Sequence, residues 1–371
     1  MVVASTSFCL KKSDSIYFDF LLGLSRKFRR NPYMKKVITV MLIVLLSVTM
    51  FVSCSKKSST TTVDTSNSAA NVDTKTVAVG AVIIVRDDVP EDEVYAIVKS
   101  IFDNKDAITA QHAKGAELDL AFASSVTAVP YHPGAAKYFS EKGYNVASVK
   151  SGAGKGTSKA LSFGTGGDTG TYYGFGSVLA GYVTKNTSYS VTAVTSGGSK
   201  ANIEDLTSND VQLGFVQSDV MSYAYHGERL FKSPVTGFSV VAALYMEQVQ
   251  IVTTRNDITS GADLKGKSVS IGAIGSGVYF NALDVLEAYG LNEADIKAVY
   301  QSFGDSADSL KDGKIDAAFI VAGAPTTAIT DLATAKTVYL VNIDDAHADA
   351  LIKVSPFYSK YTIPAGTYGS K

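Results

Sequence analysis

Apolar and polar positions along this chain switch repeatedly between two periods. From Ala160 onward, short β-branched runs (LSFGT, SVTAV, VQLGFV, SVSIGA) give way within a few residues to helical spacing. The helices start near Tyr172, Ser199, Ser218 and Ser276, the last carrying Phe280, Leu283 and Leu286 on one stripe. KAVYQSF, a helix ending near Gly313, IDAAFIV and KTVYLV continue the rhythm. Such strand–helix alternation predicts an α/β fold of mostly parallel sheets flanked by helices. One run breaks the rhythm: FSVVAALYMEQVQIVTTR is apolar, extended and uninterrupted by helix. It is long enough to cross from one lobe to another as a strand hinge, so two lobes are expected.

Upstream of Ala160 the pattern is thinner. Val77 to Val85 (VAVGAVIIV) is a continuous apolar run, as in a strand buried on both faces. After Pro90, EDEVYAIVKSIF places Val94, Ile97, Ile101 and Phe102 at helical spacing, with acids in the first turn that favour the helix dipole. Helical sequence continues to about Tyr144. A single strand with a few helices cannot close a sheet, so this section must dock on the rest of the chain. SVKSGAGKGTSK, Ser148 to Lys159, is a Gly/Ser/Lys linker, and its GAGKG lacks the spacing of a phosphate loop.

The extreme N-terminal pattern sets the compartment. MKKVITVMLIVLLSVTMFVSC, beginning at Met34, has two lysines, an apolar run and a small residue before Cys54, the layout of a bacterial lipoprotein signal with Cys54 as the lipidated residue. An uncleaved membrane anchor is the alternative; both place the remainder outside the cytoplasm. Residues 1–33 read as neither signal nor domain, and are expected to be untranslated, with a start at Met34, or disordered. The Ser/Thr-rich stretch after Cys54 has nothing to bury and reads as a tether.

Composition then narrows the function classes. A formal net charge of -1, and no basic run interleaved with aromatics after the leader, argue against a nucleic-acid partner. The 2 cysteines, Cys9 and Cys54, precede the globular part, which leaves it no thiol for a disulfide, a zinc site or a nucleophile. His112, His132, His226 and His347 show no metal-ligand spacing. No nucleophile elbow is present, so the expectation is no enzyme, no metal and no cofactor.

Binding chemistry concentrates in the strand-to-helix turns GTGGDTGTYY, TSGGSKAN, QSD and GAIGSGVYFN. Glycines there let backbone N–H groups approach a ligand, hydroxyls donate, and helix N-termini favour an anion. Each alone reads equally as a capped turn; together they describe a carboxylate cradle that needs no arginine. Glu247, in ALYMEQVQIV at the expected hinge, is the acid to meet a ligand ammonium, or else one half of a buried ion pair.

GTGGDTGTYYGFG, TSGGSKANIEDL, GFVQSDVMSYAYHG, DLKGKSVSIGAIGSG, DGKIDAAFIVAGAP and IPAGTY closely resemble the TAXI-type solute receptors of TRAP (tripartite ATP-independent periplasmic) transporters. The resemblance implies a two-lobed, type II-like periplasmic-binding-protein fold that delivers a small organic anion or amino acid to an ion-driven membrane permease. It implies ligand-binding roles for Gly167, Thr169, Tyr172, Tyr173, Ser199, Asn202, Gln217, Asp219, Glu247, Ser276 and Gly277, with Pro325 of the GAP turn closing from the second lobe. TVAVGAVIIVRDDVPEDEVYAIVKSIFDN and VPYHPGAAKYFSEKGY resemble the family's C-terminal end, yet here they come first, so the chain is similar to a circularly permuted member. The organisation expected is signal 34–53, tether 54–75, family C-terminal segment 76–148 completing lobe 1, linker 149–159, lobe 1 160–247, lobe 2 248–345, and a return to lobe 1 over 346–371.

Overall fold

The computed structural model describes residues 72–149 and 159–369. The signal, Cys54, most of the tether and most of the linker lie outside the described residues.

The apolar run before Pro90 becomes β1 (Thr74–Arg86), buried along nearly its whole length. It is followed by α1 (Glu91–Phe102), α2 (Lys105–Gln111) and α3 (Pro133–Glu141), with the short helical segments Ala113–Glu117 and Leu120–Ala123 between α2 and α3. α1 starts behind Pro90 with Glu91, Asp92 and Glu93 in its first turn and buries Val94, Ile97, Val98 and Ile101, as its spacing predicts. The alternating region then gives β2 (Ala160–Gly164), α4 (Thr171–Asn186), β3 (Ser190–Val194), α5 (Ser199–Thr207), β4 (Leu213–Gln217) and α6 (Ser218–His226). The uninterrupted run is β5 (Phe238–Thr253), a 16-residue strand. Beyond it come β6 (Ser268–Ser270), α7 (Gly277–Ala288), β7 (Lys297–Val299), α8 (Phe303–Lys311), β8 (Ala317–Ala322), α9 (Thr327–Ala335), β9 (Tyr339–Val341), α10 (Asp345–Val354) and β10 (Ser359–Ile363).

These strands form one 10-stranded sheet in the order β3-β2-β4-β1-β5-β8-β6-β7, with β10 added on β1 and β9 on β5. The fold is α/β. Within each outer group the strands run parallel, β3-β2-β4 on one side and β7-β6-β8 on the other. The two long strands in the middle are antiparallel to each other and to their outer neighbours. Around Ala78 and Gln248 both change partners. β5 pairs with β1 up to Gln248 and from there with β8 and β9, while the N-terminal end of β1 pairs with β10. These two strands therefore belong to both halves, and among the described residues no other strand does.

Two halves with separate cores follow. One large cluster joins the C-terminal part of β1 to the helices of residues 91–141 and to β2, β4, α4, α5 and α6. Two further clusters cover the faces of the second half. Of the segment 346–371, expected with the first lobe, the described residues pack on the second: Ala348, Leu351 and Tyr358 enter one of its clusters, Ile363 and Tyr368 the other. The Tyr368 phenol accepts from the Thr326 amide at 3.0 Å, which fixes the end of the described chain there. The end of β1 that receives β10 carries Val77 and Val79, themselves part of the second half's core.

Candidate functional site

Parallel strands feeding helices deliver several helix N-termini to the seam between the halves. From the first half, α4 starts behind Gly170 and α5 behind Gly198 (φ 97°), neither with a side-chain cap. From the second, α7 is capped by Ser276, whose hydroxyl accepts from the Tyr279 amide at 3.2 Å, and α8 by Ser302, which accepts from Asp305 at 3.2 Å. The first N–H groups of an α-helix have no partner within the helix, and the helix dipole is positive at that end. All four termini line one cavity of about 140 Å³. A cavity of roughly 150 Å³ holds a benzene-sized molecule, so this one fits a compact ligand.

Gly167, Tyr172, Ser199, Gln217, Glu247, Ser276 and Gly277 line this cavity. The other expected residues stand outside it. Thr169 braces the seam: its carbonyl accepts from Ala328 at 3.3 Å, and its side chain faces Gly304. Tyr173, one position on from Tyr172, turns away and is half-buried. Asn202 is buried but works as a stitch, donating to the carbonyls of Thr165 and Phe215 at 2.7 Å each. Pro325 is exposed; the GAP turn meets the first half through its backbone instead, the Gly323 carbonyl accepting from Thr171 Oγ1 at 2.9 Å.

Asp219 sits behind the cavity in a buried chain that joins the halves. Asn281 Nδ2 on α7 donates to Asp219 Oδ2 at 2.9 Å and to Tyr358 Oη at 2.8 Å. Tyr358 donates to Asp284 at 2.9 Å, and Arg229 donates to the other Asp284 oxygen at 2.5 Å. Burial pushes the Asp219 carboxyl up to about 7, against hydrogen bonds that pull it down.

Sequence reasoning missed Gln301, Ser302 and Phe303, which supply the second half's far wall. The signal was present: KAVYQSF is also a strand running into a helix, and Ser302 is its N-cap. Its one glycine, Gly304, follows the cap inside the helix, so the turn lacks the glycine-rich composition of the other three.

The electrostatics are one-sided. Among the described residues no lysine, arginine or histidine lines the cavity, and the carboxylic acid in its lining is Glu247, 2% exposed. Burial pushes the Glu247 carboxyl up to about 8, the Tyr172 hydrogen bond and the Lys114 charge pull it down, and Asp219 adds to the rise. Tyr172 donates to Glu247 Oε2 at 2.7 Å, while its ring stacks on Phe215 with centroids 4.7 Å apart. Gln217 and Gln301 are both in the lining, and their Oε1 atoms are buried acceptors with no partner among the described residues; such groups call for a donor. The halves touch at Gly277: a Cβ there would lie 1.9 Å from Gln217 Oε1 and 2.9 Å from Ser199 Oγ.

A model of the NMT1-like family matches residues 56–143 and 163–371. Among solved structures, the alkanesulfonate-binding protein SsuA from Xanthomonas axonopodis pv. citri bound to MOPS is 18% identical over 50% of this chain and 60% of that one, with a TM-score of 0.34. The periplasmic aliphatic sulphonate binding protein SsuA from Escherichia coli is 18% identical over 50% and 60%, with a TM-score of 0.32. An ancestral arginine-binding protein bound to arginine is 17% identical over 54% and 91%, with a TM-score of 0.36. The chain spans about 60% of the length of the first two.

Proposed function

The chain belongs to the NMT1-like family, and on that premise we propose that it is the extracytoplasmic solute-binding subunit of a TRAP transporter, capturing a small amino acid or organic acid between its halves. The observation that carries this reading is the cavity itself: helix N-termini from both halves and, among the described residues, one buried carboxyl and no cationic side chain in the lining. Uncapped N–H groups at α4 and α5 suit a ligand carboxylate. Glu247, Gln217 Oε1 and Gln301 Oε1 suit ligand N–H donors. A zwitterion satisfies both sets, so we favour a glutamate- or glutamine-like amino acid, with a dicarboxylate as the other class.

The TRAP assignment and the permuted order rest on the sequence motifs. The family match in two blocks, parted where the linker stands, fits a chain whose last segment has moved to the front. Anchoring through Cys54 to the membrane rests on the signal pattern alone. The test is a thermal-shift panel of amino acids and organic acids at about 1 mM. A ligand of micromolar affinity is then near a thousandfold excess and adds about 4 kcal/mol to stability. One chemical class raising the melting temperature supports the reading. A panel in which nothing shifts overturns it.

A further inference from the structure

Lys114 is buried, only 5% exposed, and belongs to none of the cavity walls. It sits on the one-turn 3-10 segment Ala113–Glu117 that follows α2. Its ammonium lies 5.5 Å from the centre of the Tyr245 ring and pairs with Glu117. The other Glu117 oxygen accepts from the Met246 amide at 3.3 Å. Tyr245 and Glu247 are two apart on β5 and so share a face, which places Lys114 on the Glu247 side of the strand. The stem passes Gly323 so closely that a Cβ there would lie 2.4 Å from Lys114 Cε. This is also the stretch where β5 leaves β1 and enters the second half.

A buried cation is costly to hold, and its ion pair with Glu117 explains how it is tolerated, not why it stands beside the ligand acid. We propose that Lys114 is a positioning residue for ligand binding: its charge, held behind the hinge by Glu117, Tyr245 and Gly323, sets how readily Glu247 gives up its proton to meet the ligand as a carboxylate. The inference rests on Glu247 being the ligand-facing acid. The groups that act on Glu247 are the Tyr172 phenol from α4, Asp219 from α6, and Lys114. Tyr245 stands beside it on β5 and is itself influenced by Glu117. Lys114 is the cation among them. Without it, burial and Asp219 both favour the protonated acid, which cannot pair with an ammonium.

The experiment follows the carbon-13 carboxyl signal of Glu247 through a pH titration of the ligand-free full chain, assigned by its loss in E247Q. Expected is a midpoint about one pH unit higher in K114M, a tenfold change in the ionisation equilibrium. K114Q, a second neutral variant that keeps a hydrogen bond to Glu117, gives the same rise if K114M does not fold. E117Q breaks the same ion pair but leaves the cation, and its midpoint does not rise. A midpoint unmoved in the neutral variants, or raised equally in E117Q, overturns the proposal. Because the titration needs no ligand, a protein that binds nothing would sink the functional reading while this measurement still decides the role of Lys114.

Discussion

Glu247 and Asp219 are both buried acids, and the structure separates their roles by what each faces. Glu247 lines the cavity and takes a hydrogen bond from Tyr172, whereas Asp219 faces Asn281 behind it. With its carboxyl pushed up to about 8, Glu247 is mostly protonated in the free protein at neutral pH, and an ammonium ligand must displace that proton. Affinity for such a ligand is expected to rise about tenfold per pH unit below 8 and to level off above it, with one proton released per ligand near neutrality. Calorimetry in buffers of different ionisation enthalpy reads that proton directly; a pH-independent affinity would remove Glu247 from ammonium recognition. Glu247→Gln is expected to weaken amino acids at least tenfold at pH 8 and to leave dicarboxylates that lack an ammonium nearly unchanged. Asp219 has the opposite relevance, to stability. Its folded value of about 7 lies above the usual 3.8, so the folded state holds a proton that the unfolded state has already lost. Its contribution is full below about pH 4 and declines as pH rises to 7, by up to roughly 4 kcal/mol. Urea denaturation at successive pH values is expected to show that decline flattened in Asp219→Asn, and an unchanged slope would place the burial cost elsewhere. The sequence placed Glu247 in an apolar run and Asp219 in a polar turn, but which one meets the cavity depends on how the halves close, and no local pattern encodes that.

Helix starts carry most of the site, and most were legible because their chemistry is local. Gly198 at φ 97° and Gly272 at φ 77° adopt left-handed backbone that glycine accepts readily, so the turns TSGGSKAN and GAIGSG announce themselves. The start of α8 uses Ser302 with only one glycine, Gly304, behind it and did not. Residues immediately past a legible turn were assigned less well: Asn202 and Asp219 fall within the first turn or so of their helices yet face the protein, since a 100° step per residue decides what reaches the ligand. Gly277 at the start of α7 shows what the contact between elements requires. A side chain there would collide with Gln217 and Ser199 across the seam, while the rest of α7 packs within the second half and, through Phe280, on the first. Overpacking of this kind costs about 1–3 kcal/mol. Gly277→Ala is therefore expected to lower ligand affinity roughly tenfold or more with a smaller change in melting temperature of the free protein, and to increase the radius of gyration of the liganded state in small-angle scattering. Wild-type affinity in this variant would mean that the halves need not meet at Gln217 to hold the ligand.

At the scale of the whole molecule, the order of segments in the chain and their order in the sheet disagree. β1 comes first in sequence yet lies in the middle of the sheet, between β4 and β5. The lone-strand argument anticipated that this section must dock on strands later in the chain, but not that β1 would take a central place. It had no means of telling that the same strand also serves the second half, or that 346–371 packs there, since an amphipathic helix records that it has a buried face but not which half covers it. The proposed permuted order would account for the central position of β1 and would make the connection between Val149 and Lys159 dispensable once the chain has folded. The segment ahead of that connection is held by β1 hydrogen-bonded on both edges and by α1 and α3 in the main core. It buries too much apolar surface to leave while the rest stays folded. Cleaving the folded protein between Val149 and Lys159 is therefore expected to give two pieces that elute together in native size-exclusion chromatography and separate only in denaturant, with ligand affinity within a fewfold of the intact chain. Separation without denaturant would refute both the permuted assembly and the reading of β1 as the shared spine of the two halves.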